Sequence, residues 1–186
     1  MKKGNLSYIL HLTLVLLLIT AVVAALLGLV DSITRDKIAA ATREKLETSM
    51  ALVLQADTYA PVENTPAEAA AVYEARTGDA LTGYVIEVKP SSFGGEIDML
   101  VGVDANCTVT GVSIISHGET SGLGAVAAAN SQAGVSFRSQ FAGTSGTLAV
   151  KKDGGKIDAL TGATVTSRAV TDGVNTALAC AGALLG

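Results

Sequence analysis

The sequence predicts an α+β protein: a single N-terminal transmembrane helix, then one domain with an antiparallel sheet and flanking helices. Three observations predict this. Residues 6–30 form an uncharged, largely apolar run. Four short segments rich in Val, Ile, Tyr and Thr follow one another between residues 72 and 116. The chain then closes with a helical pattern from Ser167 onwards. A chain of 186 residues has room for one domain of ordinary size and a short appendage.

Composition excludes several classes of protein. The 13 basic and 17 acidic residues give a formal net charge of -4, and no long basic run occurs, so nucleic acid is not an expected partner. The two cysteines, Cys107 and Cys180, have no metal-ligand spacing. We expect two small buried side chains, although a disulfide stays open if the domain lies outside the cytosol.

The N-terminal run is long enough to cross a membrane, because a spanning helix needs about 20 apolar residues. Thr13 and Thr20 interrupt it, but their hydroxyls can bond back to helix carbonyls. The alternative is a cleaved signal peptide, whose apolar region is usually shorter, about 7–15 residues. We therefore expect a retained anchor over 6–30. Arg35 and Lys37 nearly balance Lys2 and Lys3 across the run, so the free terminal amine and the very short tail mainly predict that residues 1–5 are cytoplasmic and that the main domain is extracytoplasmic.

Residues 31–60 are predicted to be a helix and a connector. Apolar residues recur at helical spacing from 31 to about 55. The stretch 56–70 contains two of the three prolines, which indicates a loop. The main domain is then predicted over 61–186.

Four strands in succession favour an antiparallel meander, over 72–76, 81–90, 96–104 and 108–116. In the second strand, Tyr84, Ile86 and Val88 lie on one face. Val85 lies on the other face, which is expected to be more exposed to solvent. A short strand is also predicted over 147–150. The closing helix has one apolar face, formed by Val170, Val174, Ala177 and Leu178.

Side chains that could perform catalysis are scarce. The only histidines are His11, in the apolar run, and His117. His117 is either an ordinary loop residue or a general base next to Glu119. No lysine follows a glycine-rich loop as in a nucleotide-binding P-loop. The sequence therefore does not indicate a hydrolase that works with its own side chains.

The segment DALTGATVTS, residues 158–167, has a cluster of hydroxyls at the start of the closing helix. A Ser or Thr cap would explain one of them, with Thr164, Thr166 and Ser167 as candidates. A phosphate site would explain the cluster and the glycine together, because free amides at a helix start attract anions. Both interpretations remain open on these residues alone.

Three ordered motifs resemble one family of flavoproteins. Asp158-x-x-Thr161-Gly162-Ala163-Thr164 matches the D-x-x-[ST]-G-A-T flavinylation motif. Residues 117–124, HGETSGLG, resemble the H-x-E-T-P-G-L-G loop, with Ser121 in place of the proline. Residues 94–97 resemble the G-G-x-I strand start. The chain is therefore similar to the FMN-binding family that includes the G subunits of Rnf electron-transport complexes and the C subunits of sodium-pumping quinone reductases.

This resemblance implies an FMN joined through its phosphate to Thr164. A threonine hydroxyl is barely nucleophilic without an activating group, so the family implies attachment by a separate flavin transferase that uses FAD and a divalent metal. Asp158 would serve that enzyme, or would only place a charge near the helix. The amides around Thr161, Gly162, Ala163 and Thr166 would hold the phosphate. The side chains expected to line the isoalloxazine come from the glycine-rich loop: Glu119, Thr120 and Leu123.

The function implied is an electron-carrying subunit of a membrane-bound, ion-translocating ferredoxin:NAD oxidoreductase of the Rnf type. It would have no independent turnover, because the other membrane and redox subunits would perform the pumping and the terminal reactions. Two alternatives stay open: a quinone-reductase C subunit, or a tethered module that binds a phosphate ligand non-covalently.

Overall fold

The computed structural model describes residues 3–63 and 65–186, without the side chains of 3–7 and 36–43. The chain divides into two units, residues 1–44 and 45–186. Helices α1 (Lys3–Val53), α2 (Gln132–Ser139) and α3 (Thr164–Leu185) are accompanied by six strands. These strands are β1 (Thr58–Pro61), β2 (Ala71–Thr77), β3 (Ala80–Val88), β4 (Ser91–Ser92), β5 (Gly95–Asp104) and β6 (Val109–His117).

The strands form one antiparallel sheet in the order β1-β2-β3-β5-β6, and the short β4 pairs with the start of β5. Consecutive strands are therefore mostly neighbours, as expected for a meander. This confirms the α+β class and the four strands predicted between 72 and 116.

One face of the sheet is covered by α3 and α2, and the larger of the two apolar clusters lies there. Apolar residues from alternate positions of β2, β3 and β5 meet the predicted apolar face of α3, where Val170, Val174 and Ala177 are fully buried. Phe137 and Phe141 pack edge to face at 5.5 Å beside them. This core fixes the position of the first turn of α3, on which the hydroxyl cluster lies.

The opposite face is covered by the end of α1, within the unit that begins at Lys45. Met50, Val53 and Leu54 pack on Ala75, Val85 and Leu100. The expectation of a wetter face in β3 was therefore wrong at Val85, which is fully buried. A Cβ on Gly102 would lie 2.4 Å from the carbonyl oxygen of Val53, so this glycine permits the close approach.

The first unit contains the predicted anchor. Within the described residues, the segment Tyr8–Arg35 is long and apolar enough to cross a membrane, with a mean hydropathy of 2.9. Thr13 and Thr20 donate their hydroxyls to the carbonyls of Ile9 and Leu16, which confirms their expected accommodation in a helix. Lys2 and the side chain of Lys3 lie outside the described part of the chain, so the cytoplasmic location of residues 1–5 stays a prediction.

Two of the predictions along the chain need correction. The proposed connector contains strand β1, which pairs with β2 through Thr58–Pro61. The proposed strand over 147–150 is reduced to a bridge between Val150 and Ile157. The backbone amide and carbonyl of Leu148 instead form two hydrogen bonds with the side-chain amide of Asn175 on α3. The backbone polar groups of Leu148 are therefore satisfied without a partner strand.

Both cysteines are free thiols. Cys180 is buried in the core as expected, but Cys107 is only half-buried. Burial raises the pKa of the Cys180 thiol, which favours its unreactive protonated form.

Candidate functional site

Two glycine-rich motifs meet at the edge of the sheet. A Cβ on Gly94 would lie 2.3 Å from the carbonyl oxygen of Gly118, and a Cβ on Gly118 would lie 2.3 Å from that of Gly94. Neither glycine has a positive φ, so the requirement is the close approach of two backbones. The turn before β5 and the loop after β6 are thereby locked together.

Glu119 joins this contact to helix α3. Its carboxylate accepts a hydrogen bond from the Gly94 amide at 3.0 Å and another from the Thr166 hydroxyl at 2.7 Å. Burial alone would raise the pKa of Glu119, but these donors and the nearby His117 together hold that pKa below its ordinary value. Glu119 is therefore an ionised bridge between three segments.

The start of α3 leaves its first amides available. The N-cap is Ala163, and no side chain caps the helix. Of the two interpretations of the hydroxyl cluster, the cap is therefore not the one observed, because Thr166 is bound to Glu119 and Ser167 accepts from the Leu160 amide. Within the described residues, the amides of Thr164 and Val165 donate to no acceptor. Such donors at a helix start provide a binding site for an anion.

A short 3₁₀ turn, Lys151–Asp153, faces the motif that runs from Asp158 to Thr164. Lys151 forms an ion pair with Asp158 at 2.7 Å. Lys152 donates from Nζ to the Thr164 hydroxyl at 3.2 Å. Asp153 accepts two hydrogen bonds, each 2.6 Å, from Arg168 of α3. Lys151 and Lys152 thus contact the beginning and the end of the motif, and Asp153 contacts helix α3 just beyond it.

These elements enclose a cleft of about 420 Å³. It brings together most of the predicted residues, together with Phe93, Lys152 and Val165, which the sequence analysis had missed. Its lining is Phe93, Glu119, Thr120, Leu123, Gly124, Lys152, Gly162, Ala163, Thr164, Val165 and Thr166.

Two predicted residues lie elsewhere. Asp158 and Thr161 line a neighbouring cleft of about 570 Å³ beside α2. Leu123 borders both clefts and would be 3.1 Å from a Cβ on Gly162, which has a φ of 76°. The side chain of Gln140 holds the backbone of Asp158. The Asp158 amide donates to Gln140 Oε1 at 2.7 Å, and Gln140 Nε2 donates to the Asp158 carbonyl at 3.1 Å.

His117 has a structural contact. It ends β6, and its Nδ1 accepts from the Glu119 amide at 3.3 Å. This geometry favours the loop role over the general-base role.

The Glu119 bridge predicts an acid dependence of stability. A carboxylate with a lowered pKa stabilises the fold above the pKa of the unfolded chain, about 4.3 for glutamate, and this stabilisation is lost as the pH falls through the folded-state pKa. We expect Glu119→Gln to unfold at lower urea than the unmodified chain at pH 7 and to show a smaller further loss at pH 3. Glu96→Gln, at an exposed position of β5, is the control. Equal acid sensitivity in the Glu119→Gln variant and the unmodified chain would contradict the bridge.

Comparison with known proteins identifies the domain that contains the cleft. The family model of the FMN-binding domain matches residues 92–179. The G subunit of the Na(+)-translocating ferredoxin:NAD(+) oxidoreductase complex of Acetobacterium woodii is 39% identical over 114 residues, which cover 59% of this chain and 54% of that protein. The G subunit of the proton-translocating complex of Clostridium ljungdahlii is 42% identical over 110 residues, which cover 57% of each chain. The chain thus spans little more than half the length of these two relatives.

A third relative matches almost throughout. The G subunit of the ion-translocating oxidoreductase complex of Cereibacter sphaeroides is 34% identical over 182 residues, which cover 89% of this chain and 80% of that protein. The chain therefore belongs to the family of G subunits of ion-translocating oxidoreductase complexes, and it contains that family's FMN-binding domain.

Proposed function

We propose that this chain is the electron-carrying flavoprotein subunit of an Rnf-type complex, with FMN bonded through its phosphate to Thr164. The observation that carries the proposal is the placement of the Thr164 hydroxyl. It lies inside the cleft of an FMN-binding domain, at a helix start with free amides. FMN bound there supplies the redox chemistry, and the protein positions it and tunes its potential.

The residues present fit both ends of FMN. At the phosphate end, the first amides of α3 and the Lys152 ammonium are donors suited to an anion. At the ring end, the apolar side chains of Phe93, Leu123 and Val165 are 76%, 46% and 51% exposed. A planar aromatic ring packed on them would remove this surface from water, which favours binding.

Among the hydroxyls of the motif, accessibility favours Thr164. Thr166 is 2% exposed and bound to Glu119, and Ser167 is fully buried. Thr161 is exposed but lines the neighbouring cleft. Thr164 is half-buried in the cleft that fits the flavin.

The attachment requires a phosphoryl transfer that the chain is not equipped to perform. A bond forms between Thr164 Oγ1 and the flavin-side phosphorus of FAD, the anhydride bond breaks, AMP leaves and the hydroxyl proton is lost. A neutral threonine needs an adjacent base or a metal for this step. The carboxylate of Asp158 lines the neighbouring cleft and is paired with Lys151, so it is a poor base for Thr164. We assign the activation to a separate flavin transferase, which would recognise Asp158.

The names of the relatives support a role for this chain in electron transfer. Two of them are subunits of ferredoxin:NAD(+) oxidoreductase complexes that translocate Na(+) or protons. We propose that the flavin of this chain relays electrons between neighbouring redox subunits of such a complex, and that other subunits translocate the ion. These names favour the Rnf type over the quinone-reductase type.

The covalent flavin is tested by expressing the full chain in membranes of a host that contains a flavin transferase. A fluorescent band on a denaturing gel and an intact mass raised by one FMN are expected. The same chain from a host without the transferase should be dark. A dark band with an unmodified mass in the transferase-containing host would refute covalent attachment.

We further propose that the helix around residues 6–30 is a retained anchor, with the amino terminus cytoplasmic and the FMN-binding domain extracytoplasmic. The apolar character of Tyr8–Arg35 supports the anchor. A cysteine introduced at Ser145, on an exposed loop, with Cys107 replaced by serine and Cys180 left in place in the core, should react with a membrane-impermeant maleimide in intact cells or spheroplasts. Labelling of this cysteine only after lysis would reverse the orientation.

A further inference from the structure

We propose that Lys152 is the phosphate-binding cation of the flavin site, which pairs with the phosphodiester that joins FMN to Thr164. The inference rests on the proposed covalent FMN and deepens it. Its first support is geometric: the Nζ of Lys152 already lies 3.2 Å from Thr164 Oγ1, the oxygen that would become the ester bridge. The non-bridging phosphate oxygens would be two bonds beyond that atom, through the phosphorus, and therefore within reach of the same flexible ammonium.

The second support is charge. Two other cations near the motif already have carboxylate partners: Lys151 is paired with Asp158 and Arg168 with Asp153. Within the part of the chain that the structure describes, Lys152 forms no ion pair within 4 Å, although it is close enough to Asp153 to help lower the pKa of that carboxyl. An ammonium directed at a neutral hydroxyl gains a full counter-charge when that hydroxyl is esterified to a phosphate.

The third support is the rigidity of the turn that presents the lysine. The Lys151 amide donates to the Ile157 carbonyl at 2.8 Å, and the Asp153 amide donates to that of Val150 at 2.8 Å. The bidentate Asp153–Arg168 pair ties the turn to α3 itself. The ammonium and the helix amides are thus held on a common frame, which reduces the ordering cost of binding a phosphate.

The fourth support is that two independent sets of donors lie at Thr164. Amides of the first turn of α3 point out of the helix, where its dipole also favours negative charge. Lys152 approaches from a different element, 12 residues earlier in the chain. The combination fits a phosphodiester monoanion, whose two non-bridging oxygens can accept from the ammonium and the amides together.

The test compares apo and flavinylated forms of the full chain, purified in detergent, for the unmodified protein and for Lys152→Met and Lys156→Met. Lys156 is an exposed lysine on the same loop and serves as the matched control. In the apo forms, both variants should unfold at the same temperature as the unmodified chain. In the flavinylated forms, the gain in unfolding temperature should be smaller for Lys152→Met by about 3 °C, as expected for one charge-assisted hydrogen bond in a domain of this size.

A second measurement covers the case in which Lys152→Met takes up little flavin. Lys152→Arg keeps the positive charge, so it should restore the flavin band to the level of Lys156→Met. An equal flavin band and an equal thermal gain in Lys152→Met and Lys156→Met would overturn the proposal. So would a low band in Lys152→Met that Lys152→Arg does not restore. Failure of the underlying function differs from both, because the unmodified chain itself would then carry no covalent flavin.

Discussion

Replacing Thr164 by alanine is expected to abolish covalently bound flavin and to leave the apo protein as stable as before. The threonine is at the first position of α3, where it caps nothing, and its side chain is hydrogen-bonded to Lys152. Alanine is the best helix former, so the substitution should change the free energy of unfolding by no more than about 0.5 kcal/mol. The fluorescent band should nevertheless disappear, because the substitution removes the oxygen to which we propose that the flavin is bonded.

The control for Thr164→Ala is Thr161→Ala, which removes the exposed hydroxyl at the start of the T-G-A-T segment. Mass spectrometry of tryptic peptides then locates the modified residue in each variant. A flavin retained by Thr164→Ala and lost from Thr161→Ala would place the attachment at Thr161. A flavin retained by both variants would assign it to a hydroxyl that is buried in the apo structure, Thr166 or Ser167, and would require the first turn of α3 to open.

The sequence predicted those parts of the fold that depend on local pattern. Alternation of apolar residues and the turn residues between them were sufficient for β2, β3, β5 and β6, and helical spacing was sufficient for α3. Strand β1 was missed because it is four residues long and ends at Pro61, at the edge of the sheet, where a missing amide costs little. The strand predicted over 147–150 failed for a non-local reason: Asn175 satisfies the backbone of Leu148.

The site shows the same division between local pattern and tertiary contact. The motif residues around Thr164 and Glu119 were recognised because they are close in sequence to other members of their motifs. A cap was one of the two interpretations open for Thr166 and Ser167, because hydroxyls at a helix start usually have that role. Their actual partners are Glu119, 47 residues away, and the Leu160 amide, and the pattern of hydroxyls carries no information about the former. Phe93 and Lys152 were missed because each reaches the cleft from a different element.

Replacing Gly94 by alanine is expected to have the largest effect on the fold of the site. The added Cβ would meet the carbonyl oxygen and carbon of Gly118 at 2.3 and 2.4 Å and the Glu119 amide at 2.7 Å. All three are backbone atoms, so no side-chain rotation can relieve the overlap, and the two loops must separate. Separation breaks the hydrogen bond from the Gly94 amide to the Glu119 carboxylate. Overpacking together with loss of this charged hydrogen bond should cost about 3 kcal/mol or more.

The same substitution should also reduce flavinylation. Displacement of the loop would break the hydrogen bond between Thr166 and Glu119 and would move Leu123, which lies on the same loop. Gly78→Ala is the control: its turn has a left-handed φ of 57°, but nothing lies within 4 Å of the added Cβ. It should cost about 1 kcal/mol, the ordinary penalty of that backbone conformation, and should keep its flavin. Urea unfolding of the two apo variants, with gel fluorescence of the same preparations, separates the effects. If Gly94→Ala were no less stable than Gly78→Ala, the two motifs would not be in the close contact that builds the cleft, and the proposal that Glu119 and Leu123 line the flavin would lose its structural basis.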